Sequence, residues 1–273
     1  MPELPEVEYV ARQLRETLVG RRITSADARW PRAIQGMEPG EFAAEVTGRT
    51  VTGVGRRAKY LLLTLDDGRL LIVHRRMSGN LLLRGQGQDE PPYTRVALGL
   101  DDGRRLYYTD PRKFGRLILA CPDALPRALA ELGPEPLEAA FTPSALTERL
   151  AGSRRAIKAA LLDQRVIAGL GNIYADEALF RARIHPLRRA GSLSEDEIAR
   201  LHAGIQGALM TGIAHGGTTF GRYRDLYDEA GSNLEHVEVY QRTGQPCVRC
   251  GTPIERITVA QRGTHYCPCC QPA

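Results

Sequence analysis

A chain of 273 residues, 42% of them hydrophobic, carries enough apolar side chain for one large or two medium domains with real cores. Its formal charge is only +5. No segment approaches the roughly 20 apolar residues of a membrane helix and the N-terminus lacks the apolar run of a signal peptide, so a cytoplasmic protein with no membrane partner is expected; a monomer is expected as well.

The charge is unevenly spread. Residues 54–116 hold 13 basic against 7 acidic side chains, an excess that suits a surface facing a polyanion. Arginine occurs 34 times and lysine only at Lys59, Lys113 and Lys158, so each lysine invites a role for a compact ammonium where a guanidinium fork would not serve.

The opening Met1-Pro2-Glu3-Leu4-Pro5-Glu6-Val7-Glu8 predicts a helix with prolines and acidic residues in its first turn, and Val7, Ala11, Leu14 and Leu18 give it an apolar stripe ending at Gly20. Removal of Met1 would leave a secondary amine at Pro2. The positive end of the helix dipole should push that amine towards its neutral, nucleophilic form, although on this segment alone a plain proline-started, glutamate-capped helix is the commoner explanation. Strands follow at 49–54, 60–65, 70–74, 80–83, 96–100, 106–109 and 117–120, with Asp66-Asp67-Gly68 and Asp101-Asp102-Gly103 as hairpin turns, which predicts a β-sandwich with a helix attached.

The Pro-rich stretch 133–143 reads as an interdomain linker, separating domain 1–132 from a helical region at 144–236. Within the latter, Lys158 precedes Ala168-Gly169-Leu170-Gly171-Asn172, a tight turn into a helix that Asn172 would cap, and the pair could seat a phosphate. Ser194 and Glu197 form a capping box for a helix running towards Ala214, and Gly216-Gly217-Thr218-Thr219 opens a long polar loop. The last domain, 237–273, carries Cys247-x2-Cys250 and Cys267-x2-Cys270, a spacing that presents four thiolates to one zinc ion. Four protein ligands leave no open position, so the ion is structural; disulfides are the competing reading, which a reducing compartment disfavours. Cys269 is the weaker alternative to Cys270, and Cys121 is expected in the core.

Taken together, PELPEVE, AKYL at 58–61, HRRMSG at 74–79, DPRKFG at 110–115, AGLGNIYADE, GGTT and the four-cysteine pattern resemble the bacterial formamidopyrimidine-DNA glycosylase family over nearly the whole chain. The resemblance implies an α+β fold: an N-terminal β-sandwich with flanking helices, a helix-two-turn-helix domain and a zinc-finger β-hairpin, with damaged double-stranded DNA between the domains. It implies excision of oxidised purines such as 8-oxoguanine and formamidopyrimidines, then strand cleavage by β,δ-elimination. Pro2 would be the nucleophile, Glu3 the general acid/base, and Glu6 an orienting residue. Met77, Arg112 and Phe114 match the set that fills the void left by a flipped base. Lys59, Asn172 and Arg262 match a phosphate clamp, Lys59 and Arg262 also assisting elimination. His74 and Tyr240 match backbone contacts, and Thr218 and Thr219 lie in the loop expected to cover the base. Arg75 departs from the pattern, standing where the family commonly has an apolar residue. Two alternatives stay open: an endonuclease VIII-like enzyme for oxidised pyrimidines, and a non-catalytic zinc-finger protein that binds damaged DNA.

Overall fold

The computed structural model describes residues 1–273, which divide into two compact units. The first comprises Met1–Ala130 with His215–Ser232, the second Glu131–Ala214 with Asn233–Ala273. No helix is long and apolar enough to cross a membrane.

In the first unit, helix α1 (Leu4–Leu18) carries the expected stripe: Val7, Ala11, Leu14 and Leu18 are buried, joined by Val10. Strand β1 (Ile23–Ala28) and helix α2 (Pro39–Val46) follow, neither anticipated. The physical reason is visible in β1, whose sequence ITSADA buries only Ile23 fully and so lacks an alternating apolar face. Next come β2 (Val51–Arg57), β3 (Tyr60–Leu65), β4 (Leu70–His74), β5 (Asn80–Arg84), β6 (Thr94–Leu100), β7 (Arg105–Thr109), β8 (Arg116–Ala120) and a short helix α3 (Arg127–Ala130).

These strands form two antiparallel four-stranded sheets, ordered β1-β6-β7-β5 and β2-β3-β4-β8. Leu61, Leu63, Leu71 and Val73 from one sheet meet Leu81, Leu83, Leu98 and Leu106 from the other in a single core, the expected sandwich. Both Asp-Asp-Gly sequences are hairpin turns, with Gly68 and Gly103 at φ +83. Cys121, by contrast, is exposed rather than in the core.

The second unit contains α4 (Pro143–Leu150), α5 (Ile157–Leu161), α6 (Asn172–Ala182), α7 (Glu195–Ala214) and the hairpin β9 (Glu255–Val259)–β10 (Arg262–Tyr266). Ser194 and Glu197 make the predicted capping box: Ser194 N–H donates to Glu197 Oε2 at 2.9 Å, and Glu197 N–H to Ser194 Oγ at 3.2 Å. Segment 133–143 is not a free linker. Gly133 N–H donates to the Gln164 carbonyl, the Pro134 carbonyl accepts from Ala168, and Phe141 is buried with its ring stacked on His202. The loop after α7 also differs from expectation, since 215–232 folds into the first unit and supplies Tyr223 and Leu226 to its core.

Candidate nucleic-acid interface and reaction turn

Helix α1 starts at Leu4 with Glu3 as N-cap, so buried Pro2 stands one residue before the cap rather than inside the first turn. Glu6 Oε2 accepts the Glu3 N–H at 2.7 Å and Glu6 Oε1 accepts the Thr218 N–H at 2.7 Å. One carboxylate, 1% exposed, therefore ties the turn bearing Pro2 to the neck of the 215–232 loop. The contact is tight enough to demand glycine at 217: its φ is +84, and a Cβ there would lie 2.7 Å from Glu6 Cγ. Two buried carboxylates at the positive end of α1 answer the dipole, so a neutral amine at Pro2 does not follow from the helix end alone.

Thr218 and Thr219 also serve this neck. The Thr218 N–H is committed to Glu6, and Thr219 Oγ1 accepts from the Gly231 N–H at 2.9 Å. These contacts close the neck of the loop in which Thr218 and Thr219 were expected to offer hydroxyl or backbone contacts.

Lys59 lies in the two-residue connection between β2 and β3, 6% exposed. Arg56 braces that turn, donating Nη1 to the Ala58 carbonyl at 3.0 Å and Nε to Glu8 on α1 at 3.0 Å. At the end of β4, the buried His74 ring packs edge-on to Tyr60, and its Nδ1 accepts the Arg76 N–H at 3.0 Å. Burial, with the nearby charges of Arg76 and Lys59, pushes its pKa down to about 3. The ring is neutral at pH 7, with its proton on Nε2 as a donor.

Met77, Arg112 and Phe114 come together in the structure. Arg112 Nη1 is 3.6 Å from Met77 Sδ and its guanidinium lies 4.8 Å from the Phe114 ring centroid, while Met77 and Phe114 are 48% and 46% exposed. Large apolar side chains so exposed on a basic surface suit insertion into a base stack. What holds them was not foreseen. Buried Asp110 accepts from Ser78 Oγ on one turn and from the Arg112 and Gly115 N–H groups on the other. Gly79 and Gly115 press on Tyr108 from both turns; a Cβ would meet its hydroxyl at 2.5 Å and 1.5 Å respectively. Lys113 points elsewhere, its ammonium 4.1 Å from the Trp30 ring.

In the second unit, Lys158 does not present charge to a phosphate. It is 0% exposed, with Nζ 2.5 Å from Asp176 Oδ1 and 3.1 Å from the Gly263 carbonyl. An ammonium so placed is spent on an ion pair and cannot reach solvent. Nor does Asn172 cap α6, for the N-cap is Gly171; the Asn172 Nδ2 donates to the same Gly263 carbonyl at 3.0 Å. Its Oδ1 is buried and unpartnered, an acceptor left over beside the hairpin tip. Asp176, one turn further, accepts the His265 N–H at 2.9 Å, and Glu177 accepts three N–H groups from Glu238, Val239 and Tyr240. Burial pushes the Glu177 carboxyl up while those N–H groups pull it down. The half-buried Tyr240 ring stands edge-on to His265, and Arg262 is exposed at the tip of β9–β10.

The four sulfurs of Cys247, Cys250, Cys267 and Cys270 lie within 4.8 Å of one another, with Cys250–Cys267 at 3.5 Å and Cys247–Cys270 at 3.9 Å. Tetrahedral zinc with bonds of about 2.3 Å needs edges of about 3.8 Å, so the set fits one structural zinc, and Cys269 stands outside it.

A backbone pattern links several of these residues. Lys59, Met77, Phe114 and Arg262 each directly follow a non-glycine residue at positive φ: Ala58 (+50), Arg76 (+51), Lys113 (+62) and Gln261 (+60). Each such conformer costs about 1–2 kcal/mol. Sharp turns held by surrounding contacts thus directly precede these four side chains.

Three family models match in order: the formamidopyrimidine-DNA glycosylase N-terminal domain over residues 1–117, its H2TH domain over 132–223, and a zinc finger found in FPG and IleRS over 244–273. A formamidopyrimidine-DNA glycosylase from Roseiflexus sp. (strain RS-1) is 52% identical, covering 99% of this chain and 100% of the relative; one from Chloroflexus aggregans is 53% identical, covering 99% and 98%. Among solved structures, a Lactococcus lactis FPG mutant in complex with Fapy-dG-containing DNA is 38% identical with a TM-score of 0.91 and full coverage of both chains. The MutM (FPG) protein of Thermus thermophilus is 43% identical with a TM-score of 0.88, covering 99% and 98%. Motifs, fold, cysteine cluster and relatives agree, and this chain belongs to the formamidopyrimidine-DNA glycosylase family.

Proposed function

We propose that this protein is a bifunctional DNA glycosylase and AP lyase of base excision repair, acting on oxidised purines in duplex DNA in the cytoplasm. The observation that carries the reading is Glu6, whose two oxygens bind the Glu3 and Thr218 N–H groups at 2.7 Å and so register the Pro2 turn against the loop. Precise registry is what a covalent step requires, since an error of about 1 Å in a reacting group can cost about a hundredfold in rate.

With Met1 removed, the Pro2 nitrogen attacks C1′ of the damaged nucleotide. The bond from C1′ to the base breaks, the base leaves with a proton, and opening of the sugar ring gives an iminium. A secondary amine cannot relax to a neutral imine, so the adduct stays cationic and acidifies the C2′ proton. Loss of that proton expels the 3′ phosphate, and a second elimination expels the 5′ phosphate. Glu3 shuttles the protons these steps demand. Phosphates are met by Lys59, by the neutral His74 Nε2–H, and, from the second unit, by Asn172, Arg262 and Tyr240. Met77, Arg112 and Phe114 occupy the space of the extruded base, Arg112 reading its orphaned partner. Zinc holds the hairpin that carries Arg262 and takes no part in the chemistry.

Borohydride trapping on an 8-oxoguanine duplex tests the scheme. Full-length protein lacking Met1 should give a covalent adduct, and Pro2→Gly or retained Met1 should abolish it. Intact binding without any adduct, or preferential trapping on thymine glycol, would overturn it.

A further inference from the structure

Arg75 is among the largest fully buried side chains of the molecule, 1% exposed. Its guanidinium reaches three acceptors: Nε donates to the Gly79 carbonyl at 2.9 Å, and Nη2 to Asn80 Oδ1 at 2.5 Å and to the Arg224 carbonyl at 2.8 Å. Asn80 completes the grip, accepting the Arg224 N–H at 3.2 Å and donating Nδ2 to the Arg222 carbonyl at 2.8 Å. The guanidinium also lies 5.1 Å from the ring centroid of Tyr223. Two adjacent side chains at the β4–β5 turn thus hold residues 222–224, the far limb of the loop whose near limb is pinned to Glu6 through Thr218. Between the two pins lie Phe220, half-buried, and Gly221, exposed.

This arrangement is costly. No carboxylate pairs directly with the cation, Nη1 is buried without a partner, and burial pushes the guanidinium pKa down, with Glu6 and Asp225 only partly offsetting it through space. Replacing a buried charge by an apolar group of similar volume is often neutral or stabilising, so stability alone gives no reason for arginine here. What an aliphatic side chain cannot supply is the fork that fixes one loop carbonyl and the Asn80 amide together.

We propose that Arg75 is a positioning residue for damaged-base recognition: with Asn80 it sets the height of residues 219–222 over the flipped base, acting through the Arg222 and Arg224 backbone rather than by touching the substrate. The inference rests on the glycosylase reading above. Its specific consequence is a division between the two activities. Base excision needs the loop in register against the base, whereas strand cleavage at a preformed abasic site presents no base for the loop to cover.

Single-turnover rates of the full-length protein on two duplexes, one with 8-oxoguanine and one with a preformed abasic site, test this. Arg75→Met should slow excision by about tenfold while abasic cleavage stays within about twofold, and Arg75→Lys, which keeps the charge on a single donor nitrogen but loses the planar fork, should fall between. Asn80→Ala should show the same split. Abasic cleavage doubles as the folding control. Equal slowing on both duplexes, or no slowing on either, would overturn the proposal. A wild-type protein that processes neither duplex would instead remove the glycosylase reading, and this inference with it.

Discussion

His74 shows how one side chain couples position to pH. Its folded pKa is held down to about 3, whereas the ring released on unfolding titrates near its ordinary value of 6.5. Between those values the unfolded chain binds the extra proton, so the contribution of His74 to stability is complete above about pH 6.5 and is lost as pH falls towards 3. His74→Gln should therefore flatten the acid limb: from about pH 7 to about pH 4.5, the urea midpoint should drop less in the variant than in the wild type. Equal drops would show that the buried imidazole is not the group responsible. Residue by residue, what the sequence disclosed depended on how local the reason was. Cys247, Cys250, Cys267 and Cys270 were readable because metal spacing is written in adjacent residues. Lys158 was misread because its partner, Asp176, lies 18 positions away and a buried ion pair leaves no mark in either segment. Arg75 was noted only as a departure, since its grip on Arg224 spans 149 positions.

Among the elements, the paired turns β4–β5 and β7–β8 carry the exposed Met77, Arg112 and Phe114. Asp110 joins these turns, so Asp110→Asn should leave the Arg112 or Gly115 N–H facing an amide, at a cost of about 1–3 kcal/mol per buried donor left unsatisfied. Urea denaturation should report that loss, and affinity for lesion-bearing duplex should fall as the two turns separate. A variant as stable as wild type would contradict the bracing role. Strands with a clear apolar signal were legible: β3, buried at every second position, and β4, a continuous apolar run, have the bounds their sequences predict. Strand β1 was not, because its outward residues are polar and, Ile23 apart, its inward residues are alanines. Helix α6 was foreseen, but not that Asn172, Asp176 and Glu177 would all face the zinc-bearing segment, which only the folded hairpin reveals.

For the molecule as a whole, zinc is the fastener of a module with little core of its own: Phe180, Val239, Cys247, Ile254 and Cys267 make up its buried apolar cluster. Chelation should release one zinc per chain, melt β9–β10 and free Arg262, while the larger core of the first unit stays folded. Duplex binding should weaken, and the slope of log affinity against log salt should shrink by about one for the lost phosphate contact. Unchanged affinity after verified zinc loss would refute this. The helical and sandwich classes were both legible from periodicity, yet the allocation of 133–143 and 215–232 was not, because composition marks a stretch as Pro-rich or polar without saying which core receives it.

That allocation has a temporal consequence. Residues 1–130 emerge first from the ribosome, but Thr218, Tyr223 and Leu226 are translated only after α7. Until they arrive, the nascent sandwich has an open seam and Glu6 lacks its contact with the Thr218 N–H. The turn bearing Pro2 is thus made at the start of synthesis and acquires its final registry only after most of the polypeptide has been made.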